Sequence, residues 1–382
     1  MVEIVRVENK RQLREFINFP FELYKDSPYW VPPLIADEKF TLNKEKNPAF
    51  EYCEAEMWLA YKDGKIAGRI AGIINHSYIE KWKQRYARFG WIDFIDDYEV
   101  SRALINKVEE WAKEKGMDAV HGPLGFCDLD KQGMLVEGFD EMGTFITIYN
   151  YSYYSEHLES YGYVKDVDWI EIEITPPKDA GVIKKLSDMA EKAKEKYGLS
   201  VVPIKKPKDA LPYARDIFYL INEAYEHLYG VVPITEKQID TYVKQYFSFV
   251  NPDYINIIQD SEGKLAGFGI IMPSLSEAAR KSKGRILPFG FIHLLKAIKK
   301  NDTLDLYLVA IRPELRMKGV PYVMLDELTK AAIKNGVVRA IASPELETNY
   351  AVQSMWRNYS TRVHRRRRCY IKHLNGNTES TS

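Results

Sequence analysis

The sequence predicts an α/β (α+β) protein made of two tandem copies of one unit. Each unit is a mixed, mostly antiparallel central sheet flanked by helices. Three observations carry this reading. The chain has 382 residues, and domains of about 150 residues would make that two or three. Strand-like and helix-like patterns alternate along it. Gly64-Lys65 and Gly263-Lys264 each join two apolar runs, and they lie 199 residues apart; Asn150 and Asn349 share that offset, each opening a helical stretch with an aromatic side chain. Two coincidences at one offset point to a duplicated domain.

The first copy starts with a helix over 9–18 and a loop rich in Pro and Asn over 27–47. The hairpin over 58–74 follows, with its Gly-Lys turn. A strand at 90–94 leads into a helix over 98–115, where Val100, Leu104, Val108 and Trp111 keep a period near 3.6. Gly116 ends that helix. A buried strand at 119–121, a long loop over 122–143, a helix at 153–161 and a strand at 169–174 complete the unit. Pro176-Pro177 and a charged helix over 180–196 mark the boundary, so the domains are expected at 1–177 and 178–374. The second copy reads as helices near 212–228 and 235–247, a hairpin at 254–272, a strand at 304–311, and a helix at 321–335. A strand at 338–342, a helix at 350–359 and a last strand near 366–371 follow. The polar residues 375–382 are expected to be disordered.

Composition narrows the function. There are 54 Lys+Arg and 54 Asp+Glu, which argues against a general nucleic-acid binder. That balance is a cancellation. Residues 348–378 hold seven basic side chains and no acidic one, leaving the rest of the chain at minus seven. Room therefore remains for a local phosphate or anionic-lipid site. No apolar run is long enough to span a membrane, and residues 1–4 lack the character of a signal peptide. Cys53, Cys127 and Cys369 are scattered, fitting neither a disulfide framework nor a metal cluster. A reducing cytoplasm is the expected location.

The stretch from Leu304 to Pro321 carries the chemistry. A buried strand ends in a loop bearing Arg316, Lys318 and Gly319, and a helix begins at Pro321. Backbone N–H groups of such a loop and helix terminus cradle phosphate, so a pyrophosphate-bearing ligand is the expected guest. The corresponding stretch of the first copy, Asp96-Asp97-Tyr98-Glu99, would repel one and suits a helix cap instead.

This stretch resembles the acyl-CoA binding motif of the GNAT superfamily, Arg/Gln-x-x-Gly-x-Gly/Ala after a central strand. Here it reads Arg316-x-x-Gly319-x-Pro321, and the final proline removes one N–H donor. The likeness continues at Asn349, Met355-Trp356 and Tyr359-Ser360, and in the first copy at Gly162-Tyr163. Trp356 stands where many members carry a tyrosine near the leaving thiol, and an indole does not donate a proton as a phenol does. The resemblance implies two tandem GNAT-like domains, the first without a pyrophosphate loop. It implies acyl-CoA as donor, held by Val309, Ile311, Arg316, Lys318, Gly319, Val320, Asn349 and Trp356. An amine would attack the thioester directly, with no metal.

Asp305 and Tyr307 share one strand face and are candidates to hold the amine, Tyr307 being equally a packing tyrosine. Glu223 and His227 lie four apart, so they share a face of the helix near 212–228 and are candidate bases, a solvated helix face being the alternative. The loop over 122–143 would line an acceptor site or a domain interface. The insertion at 274–301 carries a short apolar run with basic ends, suited to a membrane interface, to a lid over an acyl chain, or to packing between domains. The tract from His364 to Arg368 would contact CoA phosphates or lipid headgroups, or form a solvated edge strand. Together these features favour N-acylation of a primary amine, with a long-chain acyl group on a lipid or sphingoid amine, as in bacterial ceramide synthases. The setting would be the cytoplasmic side, peripheral to an anionic membrane face. A Fem-like aminoacyl ligase and a non-catalytic binding protein of the same fold are the alternatives.

Overall fold

The computed structural model describes residues 1–247 and 251–374; the tail expected at 375–382 lies outside the described residues. Two compact units emerge. Among the described residues, one is Met1–Ile170 with Ala279–Gly290 and 365–374; the other is Glu171–Ala278 with Phe291–His364. A single cut after residue 177 does not separate them, because two later segments pack with the first unit. Gly284 fits against the Pro33 carbonyl and the Phe21 ring where a Cβ would collide, and its own carbonyl accepts the Ile35 N–H at 3.0 Å. The end of the chain supplies a strand.

The first unit opens with β1 (Val2–Arg6), α1 (Lys10–Leu23) and α2 (Ile35–Thr41). Asn9 and Gln12 form a reciprocal capping box at α1. The hairpin is β2 (Cys53–Lys62) and β3 (Lys65–Asn75). Its turn residues Asp63 and Gly64 both have positive φ, as a two-residue hairpin of the strands' own twist needs. Next come α3 (His76–Trp82), β4 (Tyr86–Phe94), α4 (Tyr98–Glu114) and β5 (Ala119–Gly122). The long loop holds a short β6 (Met134–Glu137), followed by α5 (Tyr153–Ser160) and β7 (Val164–Thr175). Val100, Leu104 and Val108 of α4 are fully buried and pack with Trp58, Phe89, Phe94 and Tyr154.

The second unit contains α6 (Ala180–Tyr197), β8 (Ser200–Val201), α7 (Ala214–Ala224), α8 (Glu236–Tyr246), β9 (Ile255–Gln259) and β10 (Leu265–Pro273). The insertion forms α9 (Ser276–Ser282) and α10 (Gly290–Lys299). Then come β11 (Thr303–Ile311), α11 (Val320–Lys334), β12 (Arg339–Ala342), β13 (Glu345–Leu346), α12 (Tyr350–Gln353) and β14 (Ser360–His373). Its core joins Ala190 and Ala193 of α6 to Val320, Val323 and Met324 of α11, over Ile258 and Ala266.

Strand order in the first unit is β1-β2-β3-β4-β5-β14, and in the second β7-β12-β11-β10-β9-β8. In each, one parallel pair (β4 with β5, β11 with β12) sits among antiparallel neighbours. The outer strands trade places: the end of β7 pairs with β12, and the end of β14 pairs with β5 and β6.

This exchange corrects the reading of the arginine tract as a lipid patch or solvated edge. Arg365 and Arg367 are buried. Arg365 donates to the Glu141 carbonyl at 3.3 Å, and Arg367 to the Ile148 carbonyl. On the opposite face Arg368 grips Asp168 through Nε at 2.8 Å, and Arg366 reaches Asp168 and Glu137. The tract is spent inside the first unit because β14 pairs with β5 and β6 there and meets acceptors on both faces.

Candidate functional site

The site begins where two parallel strands part. Pairing of β11 with β12 runs from Thr303↔Arg339 to Leu306↔Ala342 and stops, while β11 continues to Ile311 against β10 alone. Ser343 secures the parting point, giving its N–H to the Leu306 carbonyl at 3.1 Å and its hydroxyl to the same oxygen. Beyond it, Val309 and Ile311 turn their backbone groups away from β10, because Arg312 is the residue that bonds back to Ala266 at 2.9 Å. The Val309 carbonyl accepts the Tyr225 hydroxyl at 2.8 Å.

The exposed edge leads to the start of α11. Gly319 caps that helix with φ +80, and no side chain does so. Tyr322 returns its N–H to the Gly319 carbonyl at 3.0 Å, and Pro321 has none. Gly319 and Val320 are left as the amide donors of this terminus. A Cβ at Gly319 would lie 2.5 Å from the Ala193 Cβ, so the turn must be glycine. Lys318 is exposed, and half-buried Arg316 donates to the Ala224 carbonyl at 3.2 Å. These groups fit an anion such as a pyrophosphate, with one donor fewer than Gly or Ala at 321 would allow.

The first unit has the same frame with the opening filled. Ile95 bonds back to Ala67 at 3.0 Å, as Arg312 does to Ala266, and the two alanines again lie 199 residues apart. The outward amide of Phe94 donates to Tyr154 at 3.0 Å, and its carbonyl accepts from Tyr153 at 2.6 Å. Asp97 accepts the Glu99 and Val100 N–H groups at the start of α4 and pairs with Lys62. The carboxylate cap expected from sequence is in place, and the tyrosine cluster closes the edge.

The remaining sequence candidates divide. Tyr307 is the first residue past the parting point and is half-buried, whereas Asp305 is 2% exposed within the closed part of the sheet. Glu223 and His227 do not share a helix face, because α7 ends at Ala224 and His227 lies in the following turn. Asn349 caps α12 through Val352 at 3.5 Å. Trp356 is buried and donates its indole N–H to Glu345 Oε1 at 3.3 Å.

Glu345 escaped sequence reading. It lies two residues past Ser343, and its Oε2 is buried with no hydrogen-bond partner among the described residues. Burial pushes its carboxyl up to about 7, against the opposing pull of the Trp356 bond. Such a carboxyl can take a proton at neutral pH. The only signal in sequence was its place after a short buried strand.

No family model matches the chain. It is 29% identical over 374 residues to Protein YghO of Escherichia coli (strain K12), covering 96% of this chain and 94% of that one. It is 25% identical over 383 residues to a bacterial ceramide synthase of Caulobacter vibrioides, covering 98% of each. Among solved structures, a tandem GNAT protein from the clavulanic acid biosynthesis pathway aligns with a TM-score of 0.54 at 12% identity, over 99% of this chain and 100% of that one. A GCN5-related N-acetyltransferase from Sphaerobacter thermophilus aligns at 0.51 and 12%, over 98% and 96%. The chain has the tandem GNAT fold.

Proposed function

We propose that the second unit is an N-acyltransferase that takes an acyl group from acyl-CoA and places it on a primary amine. The observation that carries this reading is the edge of β11, whose Val309 and Ile311 amides face away from β10, running into the start of α11, which no side chain caps. The edge offers peptide groups to an extended amide-bearing arm, and the terminus offers Gly319 and Val320 N–H groups with nearby Arg316 and Lys318 to phosphate. The first unit, with its edge and helix start occupied, serves as scaffold.

In this reading Glu345 is the base. Its carboxylate accepts a proton from the ammonium of the acceptor. The freed nitrogen attacks the thioester carbonyl; as the C–N bond forms and the C–S bond breaks, the second proton on that nitrogen passes through water to the departing thiolate. The outward N–H groups of β11 would polarise the thioester carbonyl. Trp356 orients Glu345 through its indole N–H. Tyr307, half-buried and the first residue past the parting point, would contact the acceptor.

For the acceptor we favour a lipid-linked or sphingoid amine acylated with a long chain, at an anionic membrane surface. Support comes from the near-full-length match to a protein described as a bacterial ceramide synthase and from the exposed apolar residues Leu287 and Phe289. No described helix is long and apolar enough to cross a membrane.

The test is thermal stabilisation by acetyl- through palmitoyl-CoA, followed by mass spectrometry of N-acyl products with a panel of amines. Stabilisation that grows with chain length supports the lipid reading. No stabilisation by any acyl-CoA rejects the donor site and favours a non-catalytic binding protein, for which the proline at position 321 is the supporting feature.

A further inference from the structure

The first unit contains a second candidate site, away from its filled edge. A half-open cavity of about 440 Å³ is lined by Arg14, Ile17 and Asn18 of α1, Ile35 and Lys39 of α2, and Arg285. The α1 residues sit at i, i+3 and i+4 and the α2 residues at i and i+4, so each helix turns one face to the cavity. Three cations and no acid line it. Among the described residues no ion pair or side-chain hydrogen bond engages Arg14, Lys39 or Arg285. Three like charges converging without a counter-ion repel one another, and an anion relieves that repulsion.

Arg285 is fixed by its neighbour. Gly284, at φ +66, presses against the Pro33 carbonyl and the Phe21 ring and accepts the Ile35 N–H at 3.0 Å. The backbone then runs outward. Leu287 is 75% exposed and Phe289 70% exposed, two and four residues beyond Arg285. A cationic cavity beside projecting apolar side chains combines the two contacts that a charged bilayer surface rewards, headgroup pairing and shallow apolar insertion.

We propose that this cavity receives the phosphate of an anionic phospholipid, with Leu287 and Phe289 entering the interface beside it. The proposal deepens the membrane-surface reading above by giving the contact a site, and it does not depend on the acyl-donor site of the second unit. A free phosphate would satisfy the cations alone, and the exposed Leu287 and Phe289 are what favour a lipid.

The experiment is co-sedimentation of the full chain with vesicles. Binding to vesicles of phosphatidylcholine with about 30% phosphatidylglycerol is expected to exceed binding to phosphatidylcholine alone on the order of 100-fold. Arg14→Gln, Lys39→Gln and Arg285→Gln combined should remove that difference. Leu287→Ser with Phe289→Ser should weaken vesicle binding and leave calorimetric binding of inorganic phosphate unchanged. Equal binding to both vesicle types overturns the proposal, as does a preference that survives the triple substitution. Phosphate binding without vesicle binding also overturns it, in favour of a soluble anion. Stabilisation by acyl-CoA, measured on the same variants, is expected to stay at the wild-type level; its failure in the wild type counts against the donor-site reading alone.

Discussion

The backbone N–H of Phe94 donates to the Tyr154 hydroxyl at 3.0 Å, filling in the first unit an edge position whose counterpart in the second unit is the outward amide of Ile311. Tyr154 shares its oxygen with Tyr24 at 2.7 Å, and Tyr24 donates to Asp93 at 2.7 Å. Arg69 completes the network at 2.7 Å from Asp93. All four side chains are buried, so each bond replaces water that cannot enter.

Tyr154→Phe strands the Phe94 amide. The expected cost is about 1–3 kcal/mol, the penalty for a buried donor without an acceptor. Urea unfolding should show it as a lower midpoint. Acyl-CoA stabilisation should be unchanged, because the proposal puts the donor site in the second unit; a loss of that stabilisation would count against that assignment.

Pro321→Ala adds one amide to the start of α11 without changing the turn at Gly319. If that terminus holds the pyrophosphate, a charge-assisted bond should tighten acyl-CoA binding about tenfold. Calorimetric titration reads this directly. Unchanged affinity would mean that phosphate sits elsewhere. Arg316→Ala should weaken binding in the same assay.

Arg368→Ala removes the bidentate partner of Asp168, which is almost fully buried. Burial raises the Asp168 carboxyl, and the bonds from Arg368 and Lys165 more than offset it, holding the group below its ordinary value. A group depressed in this way stabilises the fold above its unfolded pKa and loses that contribution as pH falls through its folded one. With Lys165 and Arg366 still at Asp168, the variant should be less stable at neutral pH by about 1–3 kcal/mol, with a smaller deficit in acid. Vesicle binding should not change, since Arg368 is already engaged by Asp168.

How far the sequence spoke depended on the range of the interactions. The hairpin turns were readable because Asp63-Gly64 and Gly263 act locally through backbone freedom. The Asp97 cap was readable because its acceptors are two and three residues away. The arginine tract misled because its partners Glu141, Ile148 and Asp168 are about two hundred residues distant, and a strand exchange brings them together. Pairing Glu223 with His227 failed because α7 stops at Ala224, where Tyr225 turns to bind Val309. Glu345 was invisible because an ordinary surface-type residue gains a raised pKa only when tertiary packing buries it beside Trp356.

Glu345 gives the sharpest pH test. Its carboxyl lies at about 7 against an ordinary value of 4.5, so the folded state holds a proton that the unfolded chain releases between those values. Stability from this group is full below 4.5 and declines as pH rises through about 7. Glu345→Gln, which cannot ionise, should remove that decline and leave the protein more stable than wild type at pH 8, by as much as about 3 kcal/mol. Activity should move the other way. With a base titrating near 7, kcat/KM of the wild type should rise with pH through that value and level off. The glutamine variant should lose about 100-fold or more and show no such rise, while acyl-CoA stabilisation persists. A pH profile retained in Glu345→Gln would assign the base elsewhere, and a stability gain without an activity loss would leave Glu345 as a buried carboxyl that the reaction does not use.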